Sequence, residues 1–388
     1  MKGHVTTKSG SWYAVLDMQD PATGKRKRKW FKLKAENKRN AQTECAELIT
    51  KQQSGSLIEP SKLKLSEFLE RWLSHIKPNV SPNTYERYCD LARKNIAPLL
   101  GATALTKLQS IQVSEAYAKA LESGRRDGKG GLSPRTVHHL HRVLNQALAQ
   151  AVRWGILQKN PCALLEKKDR PKVEKKPVAT IDAAATAQAI EEARELRLYV
   201  PIILGSFCGL RRGEIVALRW RSIDLERGQL AVVASIEQTK AGCREKETKG
   251  SKSRTVAMPA VLVEELRAWR IRQAQELLRL GVRPDADTFV ITQADGSGLQ
   301  PRSLTHAVSS FMKARGSRVR LHGLRHSHAS HLLAQNVHPK IVQERLGHSS
   351  IAITMDIYSH VMPNMQADAA AKIDAAFAVA KSTKRGTP

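Results

Sequence analysis

A mainly helical, multidomain architecture follows from three observations. The chain has 388 residues, more than one ordinary hydrophobic core organises. Apolar residues recur at helical spacing over most of that length, while strand-like patterning is confined to the first 35 residues and to a segment near 230–258. Two polar stretches, one opening at Gly55 and Ser56 and one spanning 166–177, interrupt the pattern. The expected order is a small β-sheet plus helix domain at 1–58, a helical domain at 62–165, a mixed α+β domain at 175–375 and a tail at 376–388.

The first domain reads as two strands and a helix. Residues 11–17 form one strand, Asp20 to Gly24 a turn, and 26–34 a second and very basic strand. A helix fills 37–53, with Ala41, Cys45, Leu48 and Ile49 on one face. A basic two-stranded ribbon of this kind fits a DNA major groove.

The helical domain is expected to hold four helices. Leu65, Phe68, Leu69, Trp72, Leu73 and Ile76 give the first its apolar stripe, with Ser66 as candidate N-cap. Two later helices begin with Ser81-Pro82 and Ser133-Pro134, a hydroxyl cap followed by a ring that cannot donate but suits the first helical turn. The last turns Val137, Leu140, Leu144, Leu148 and Ala151 inward. His138, His139, His141 and Arg142 fall between them and are expected to be solvated or to touch phosphate. Residues 166–177 combine two prolines with many charges and read as a flexible basic strap.

In the third domain, 230–236 and 254–258 are the expected strands, separated by a Lys-rich polar stretch and surrounded by helices. Residues 366–380 are Ala-rich and helical in pattern.

Charge narrows the partner. Sixty-four Lys and Arg against 36 Asp and Glu leave a formal charge of +28, and the excess is spread over all three domains. That balance points to a polyanion, nucleic acid before an anionic membrane surface. The N-terminal residues lack the apolar core of a signal peptide, and no apolar run approaches the ~18 residues of a membrane span. The five cysteines are scattered and contain no CxxC pair, so neither a zinc site nor a disulfide framework is expected, and a reducing cytoplasm is the expected compartment.

Four segments of the third domain carry candidate chemistry. They are Gly209-Leu210-Arg211 with Glu214, the lysine-bearing loop of Lys249 and Lys252, His322 with Arg325, and His348 followed ten residues later by Tyr358. Each alone is weak; in this order and spacing they are specific. The set resembles the tyrosine recombinase (phage integrase) family, and the resemblance covers essentially the whole chain. It implies an arm-type DNA-binding domain at 1–58, a core-binding (SAM-like) domain at 62–165 and a catalytic domain at 175–375. It implies Arg211 as the first catalytic arginine with Glu214 bracing it, His322 and Arg325 as the His-x-x-Arg pair, His348 as the position held by His or Trp, and Tyr358 as nucleophile. Lys249 fits the lysine position best, and Lys252 stays open.

The residue types suit that chemistry without the family name. A tyrosine hydroxyl titrates near ~10 when free and so needs activation. Two arginines can grip nonbridging phosphate oxygens with planar forks and stay charged at any working pH. His322 suits a general base, Lys249 a general acid toward the 5′ oxygen, and His348 a phosphate hydrogen bond. A 3′-phosphotyrosine would conserve the broken bond, so neither ATP nor metal is expected. The sequence has no Walker motif and no carboxylate cluster for two metals. The crowded His322, His326, His328 and His331 include no HExxH, and Arg325 among them would repel a cation.

The resemblance further implies double-stranded DNA attachment sites of a phage or other mobile element in a bacterial host, action at the nucleoid, and a homotetrameric synapse. A host DNA-bending protein and an excision factor are the implied accessory partners. The Ala-rich C-terminal segment would pack on a neighbouring protomer. The competing readings are a type IB-like topoisomerase, a non-catalytic DNA-binding protein of the same fold and a basic membrane-surface protein.

Overall fold

The computed structural model describes residues 3–19, 26–53, 62–174, 179–247 and 253–358, with 370, 371, 373–375 and 377 of the C-terminal segment. The chain divides into two compact units, Met1–Glu174 and Lys175–Pro388.

The first unit opens with three strands rather than two. β1 (Gly3–Lys8), β2 (Ser11–Gln19) and β3 (Arg26–Lys32) form an antiparallel sheet in that order. β1 escapes a sequence reading because its residues, Gly-His-Val-Thr-Thr-Lys, hold a single aliphatic side chain. Backbone pairing to β2 through a tight turn at Ser9 and Gly10 supplies what its side chains do not. α1 (Lys38–Gln53) starts where the Asn37 side chain accepts from the Asn40 amide at 2.9 Å. It lays Ala41, Cys45, Leu48 and Ile49 over Val5, Ala14, Leu16 and Leu33.

The rest of this unit is helical. α2 (Leu65–Ile76), α3 (Pro82–Leu91), α4 (Ala97–Leu100), α5 (Ser110–Ser123) and α6 (Pro134–Arg153) share one core. A five-residue π turn, Ala92–Ile96, joins α3 to α4, so the two make one helical run. Pro98 explains the widened turn, since its ring nitrogen cannot donate to the carbonyl four residues back. Trp72, among the largest fully buried side chains, stacks on Tyr88 with centroids 5.8 Å apart. Ser81 and Ser133 are the N-caps, accepting from Thr84 and Thr136 amides at 3.4 and 3.2 Å. Ser66 is not a cap. α2 begins at Leu65, the Glu67 carboxylate takes the Lys64 amide at 3.3 Å, and the Ser66 hydroxyl donates to the Gly101 carbonyl.

Two further expectations change here. His141 is buried rather than solvated, with Nδ1 3.1 Å from the Tyr117 hydroxyl. Burial first, then the charge of Arg170, lowers its pKa. The strap does not begin at residue 166. Arg170 donates to the Leu165 and Ala163 carbonyls, and the Pro171 carbonyl lies 3.3 Å from His138 Nδ1, which fastens this stretch to the helical core.

The second unit comprises α7 (Ala183–Ala193), α8 (Tyr199–Cys208), α9 (Arg212–Ala217), β4 (Ile223–Asp224), β5 (Gln229–Val232), β6 (Ala234–Thr239), β7 (Gly242–Glu247), β8 (Arg254–Ala257), α10 (Ala260–Arg279), α11 (Pro301–Ala314), α12 (Leu321–Ala334), α13 (Pro339–Leu346) and α14 (Ile351–Tyr358). α8 is apolar on every side and runs through the centre of the core, against Leu321 and Leu324 of α12. The apolar run 230–236 is two strands, not one. The β5–β8 ladder ends at the Val232–Arg254 pair, Val233 is exposed, and β6 then pairs with β7 in a separate hairpin. The Ala-rich 366–380 stretch falls mostly outside the described residues; those described within it are helical.

Replacing Ser133 with Ala removes an N-cap bond and is expected to cost about 1 kcal/mol. Urea unfolding followed by circular dichroism, read against Thr136→Ser as a neutral control, checks it; an unchanged midpoint would contradict the cap.

Candidate active site

The second unit assembles its charged residues around the C-terminus of α13. Three successive carbonyls there each accept from a different arginine. Arg254 Nε donates to Arg345 O at 2.9 Å, Arg325 Nη2 to Leu346 O at 2.6 Å, and Arg211 Nη2 to Gly347 O at 2.7 Å. The last carbonyls of a helix lack intrahelical donors and carry its negative dipole end, so they suit guanidiniums. Gly347 follows the helix with φ 64°, a left-handed conformation that exposes these oxygens. A Cβ there would also come within 3.1 Å of the Arg254 side chain.

Arg211 enters this cluster because α8 stops. Gly209 turns left-handed at φ 61°, and the chain restarts as α9 with Arg211 in the capping position. An added Cβ at Gly209 would meet Leu346 and His328 at 2.7 and 2.8 Å. Glu214, one turn into α9, reaches back to the Arg211 amide at 2.8 Å and takes Arg211 Nη1 at 2.8 Å. Its carboxylate also receives Arg254 Nη1 and Nη2, at 2.9 and 2.7 Å. Four hydrogen bonds thus meet on a side chain that is 3% exposed. Burial alone would raise the Glu214 pKa, but the Arg254 fork and the Arg211 contacts outweigh it and hold the value at about 2.

Arg325 lies one helical turn beyond His322 on α12. It is fully buried, with Nη1 on the Gly209 carbonyl at 2.6 Å. Arg325 and Arg211 therefore both clamp the junction between the end of α8 and the end of α13. His322 is exposed at the surface of this cluster, its ring centroid 4.6 Å from that of His326 and nearly perpendicular to it. Partial burial, then the charges of Arg325, Arg211 and Arg212, lower the His322 pKa. His348 sits just past Gly347. Its Nδ1 is 2.9 Å from the hydroxyl of Thr354, a fully buried residue of α14. Burial, then the charges of Arg325 and Arg211, push its pKa down to about 4.

The sequence-expected residues meet this cluster unequally. Arg211, Glu214, Arg325 and His348 are in it, and His322 borders it. Tyr358 is the last residue of α14, four residues after Thr354; its side chain is outside the described residues. Lys249 and Lys252 lie outside them as well, in the segment 248–252 that leads into β8. Lys246 is bound elsewhere, to the buried Glu237 at 2.7 Å. Of the crowded histidines only His322 and His326 meet. His328 accepts from Arg345 Nε at 3.1 Å, and His331 Nε2 lies 3.0 Å from the Ile181 carbonyl. Among the described residues no group of three His, Cys, Asp or Glu is placed to hold a metal ion.

Sequence reasoning missed Arg254. In sequence it closes the lysine-bearing segment of Lys249 and Lys252 and opens a strand, and nothing local gives it a role of its own. A layer beneath it, Arg345 with His328 and the Phe207 carbonyl, was missed too.

A second basic feature lies on the first unit. Asn83, Arg87, His139, Arg142 and Gln146 line a cleft of about 370 Å³ between α3 and α6. Among the described residues no helix is long and apolar enough to cross a membrane.

The sequence matches the model of the Phage integrase family over residues 174–365, and that of the Phage integrase, N-terminal SAM-like domain, over 64–121. It is 28% identical to a "Tyrosine recombinase XerC-like" protein of Caldanaerobacter subterraneus subsp. tengcongensis, across 88% of this chain and 90% of that one. It is 30% identical to "Tyrosine recombinase XerC" of Xanthomonas axonopodis pv. citri, across 60% of this chain and 69% of that one. In fold it is similar to the Tn1549 transposon integrase in complex with transposon right end DNA, with TM-score 0.68, 18% identity, 80% of this chain and 99% of that one covered. It is also similar to a lambda integrase tetramer bound to a Holliday junction, with TM-score 0.58, 17% identity and coverage of 91% and 94%.

The histidine network makes acid costly. His326, His328 and His348 sit near 4, 3 and 4, against the ordinary imidazole value of about 6.5. Below about 6.5 the unfolded chain binds protons that the folded chain refuses, so stability falls as pH drops from 6.5 toward 4. Calorimetry of the full chain at pH 7 and pH 5 should show a lower Tm at pH 5, with a smaller drop in His328→Gln. Equal drops in both proteins would contradict a neutral buried His328.

Proposed function

The chain belongs to the phage integrase family and is a tyrosine recombinase, and from that premise we propose that Tyr358 is its nucleophile, attacking a phosphodiester held by Arg211 and Arg325. The observation that carries the proposal is the seating of both guanidiniums on adjacent carbonyls, Leu346 and Gly347, immediately before His348. Two forks fixed in advance on one turn of backbone are the preorganised cationic site that a phosphorane-like transition state requires. His348, its Nδ1 engaged by Thr354, presents its other ring nitrogen to a nonbridging oxygen.

His322 accepts the Tyr358 proton. Its lowered pKa keeps the imidazole neutral, hence basic, at neutral pH. The phenolate attacks phosphorus, the bond to the 5′ oxygen breaks, and Lys249 protonates that oxygen. The product is a 3′-phosphotyrosine and a free 5′-hydroxyl. A 5′-hydroxyl from a second duplex reverses the step on the new partner, which integrates or excises a mobile element.

Around this centre we assign residues 1–58 to arm-type DNA sites, 62–165 to the core site and 175–375 to catalysis. The α3–α6 cleft, with Arg87 and Arg142, supplies phosphate contacts to the core domain. The active assembly is a homotetramer on two duplexes, as in the lambda integrase complex on a Holliday junction, working at the bacterial nucleoid. A host DNA-bending protein and an excision factor complete the set of partners.

The test uses nicked suicide duplexes tiled across the DNA that flanks the chain's own coding sequence, with EDTA present and ATP absent. A covalent protein–DNA adduct on a denaturing gel is expected from the wild type and not from Tyr358→Phe. Arg325→Ala should slow it by about 10²–10³-fold, the loss typical of one transition-state donor. DNA binding by the wild type with no adduct at any site would overturn the proposal.

The lysine is identified by replacing the bridging 5′ oxygen with sulfur, a leaving group that needs no proton. Lys249→Ala should be slow on the oxygen substrate and restored on the sulfur one. Restoration of Lys252→Ala instead would move the role to Lys252.

A further inference from the structure

We propose that Arg254 is a positioning residue for strand cleavage, holding Arg211 in register with the phosphate by way of Glu214. The inference rests on the reading of Arg211 as a phosphate grip and names a group outside the expected catalytic set.

Three observations carry it. First, Arg254 makes a bidentate contact to Glu214 with Nη1 and Nη2 and spends Nε on the Arg345 carbonyl, so one planar group spans two elements of the cluster. Second, the contact is sheltered. The two side chains are 13% and 3% exposed, so a charge left alone there would not be solvated. Third, Glu214 is the one side chain that holds both the Arg211 amide and the Arg211 guanidinium. A carboxylate buried this deeply, facing one partner that must also serve substrate, would tend to neutralise or to pull that partner inward. Arg254 removes the conflict. It satisfies both carboxylate oxygens from the far side, so Arg211 gives Glu214 only one Nη1 hydrogen and the Gly347 carbonyl one Nη2 hydrogen, and its remaining N–H groups are left for DNA.

Geometry also shows why lysine would not serve. A single ammonium cannot reach two carboxylate oxygens and a helix-end carbonyl in one plane. Arg254 is the first residue of β8, held in place by the Val232 pairing, so the fork approaches from a rigid sheet.

The charged groups facing Glu214 are Arg211 from the start of its own helix and Arg254 from β8; α13 contributes the Gly347 and Arg345 carbonyls to those two arginines. Without Arg254, burial is opposed by Arg211 alone, and the carboxyl takes up a proton at higher pH. A neutral carboxyl releases Arg211, so cleavage declines as pH falls.

The experiment measures adduct formation against pH with the full chain and a nicked suicide duplex. Arg254→Ala is expected to be at least tenfold slower than wild type at pH 7, with the acid limb of its profile displaced upward by a unit or more. Arg254→Lys, which retains the charge but not the fork, should show a smaller displacement in the same direction with a smaller loss, and keeps the test open if the alanine variant does not fold. A 5′-sulfur substrate should leave the defect in place. A profile parallel to wild type, or rescue by sulfur, would overturn the inference, the latter by placing the effect on the lysine loop. If wild type forms no adduct, the recombinase reading fails first and this inference with it.

Discussion

The end of α13 is the constraint on which the site depends. Three guanidiniums brought this close repel one another, and each loses water on entering the cluster. Carbonyls 345–347 and the Glu214 carboxylate are what make the gathering tolerable. The carbonyls belong to a helix terminus, so they are both unpaired and partially negative, and they cost nothing further to expose. Two left-handed glycines make this possible: Gly209 turns the α8 carbonyl toward Arg325, and Gly347 ends α13 where its oxygens face the arginines. The core beneath fixes the spacing, since α8 packs on α12 while Leu346 packs with Ala329, Leu333 and Val342.

That arrangement dictates the state of the histidines. Desolvation and nearby guanidiniums both disfavour imidazolium, so His326, His328 and His348 are kept neutral well below the ordinary range. Neutrality is what lets them work as acceptors. His328 can take a hydrogen bond from Arg345 because it carries no proton at Nε2, and that bond anchors the residue whose carbonyl receives Arg254. The same causes lower the His322 pKa.

How much of this was legible in sequence depends on range. Local chemistry was: Ser81-Pro82 and Ser133-Pro134 start helices because caps act over three residues, and the apolar stripe of α2 is buried as spaced. The spacing of His322 and Arg325, and of Arg211 and Glu214, was legible because each is one helical turn. What escaped depends on pairing between distant segments. β1 is a strand because β2 needs a neighbour, and the 230–236 run splits because β8 is short. His141 carries polar neighbours in sequence yet is buried, since Tyr117 can receive it. Arg254 is the sharpest case. Its importance comes from Glu214, 40 residues earlier, and Arg345, 91 residues later, and no local pattern encodes either.

The charge count of the cluster bears on what it is shaped to bind. Arg211 and Arg254 share one carboxylate, Glu214, while Arg325 is held by carbonyls alone, which leaves the cluster with an excess of positive charge. A phosphodiester brings one negative charge to such a site and answers only part of that excess. A phosphorane-like transition state with a second negative charge would answer more of it. Stabilisation that grows as the reaction proceeds lowers the barrier, whereas stabilisation already complete in the ground state does not. Seen this way, Glu214 sets the excess as well as the geometry. A second carboxylate would cancel more of that excess, and none at all would leave Arg211 unbraced. One buried acid, shared between Arg211 and Arg254, meets both demands.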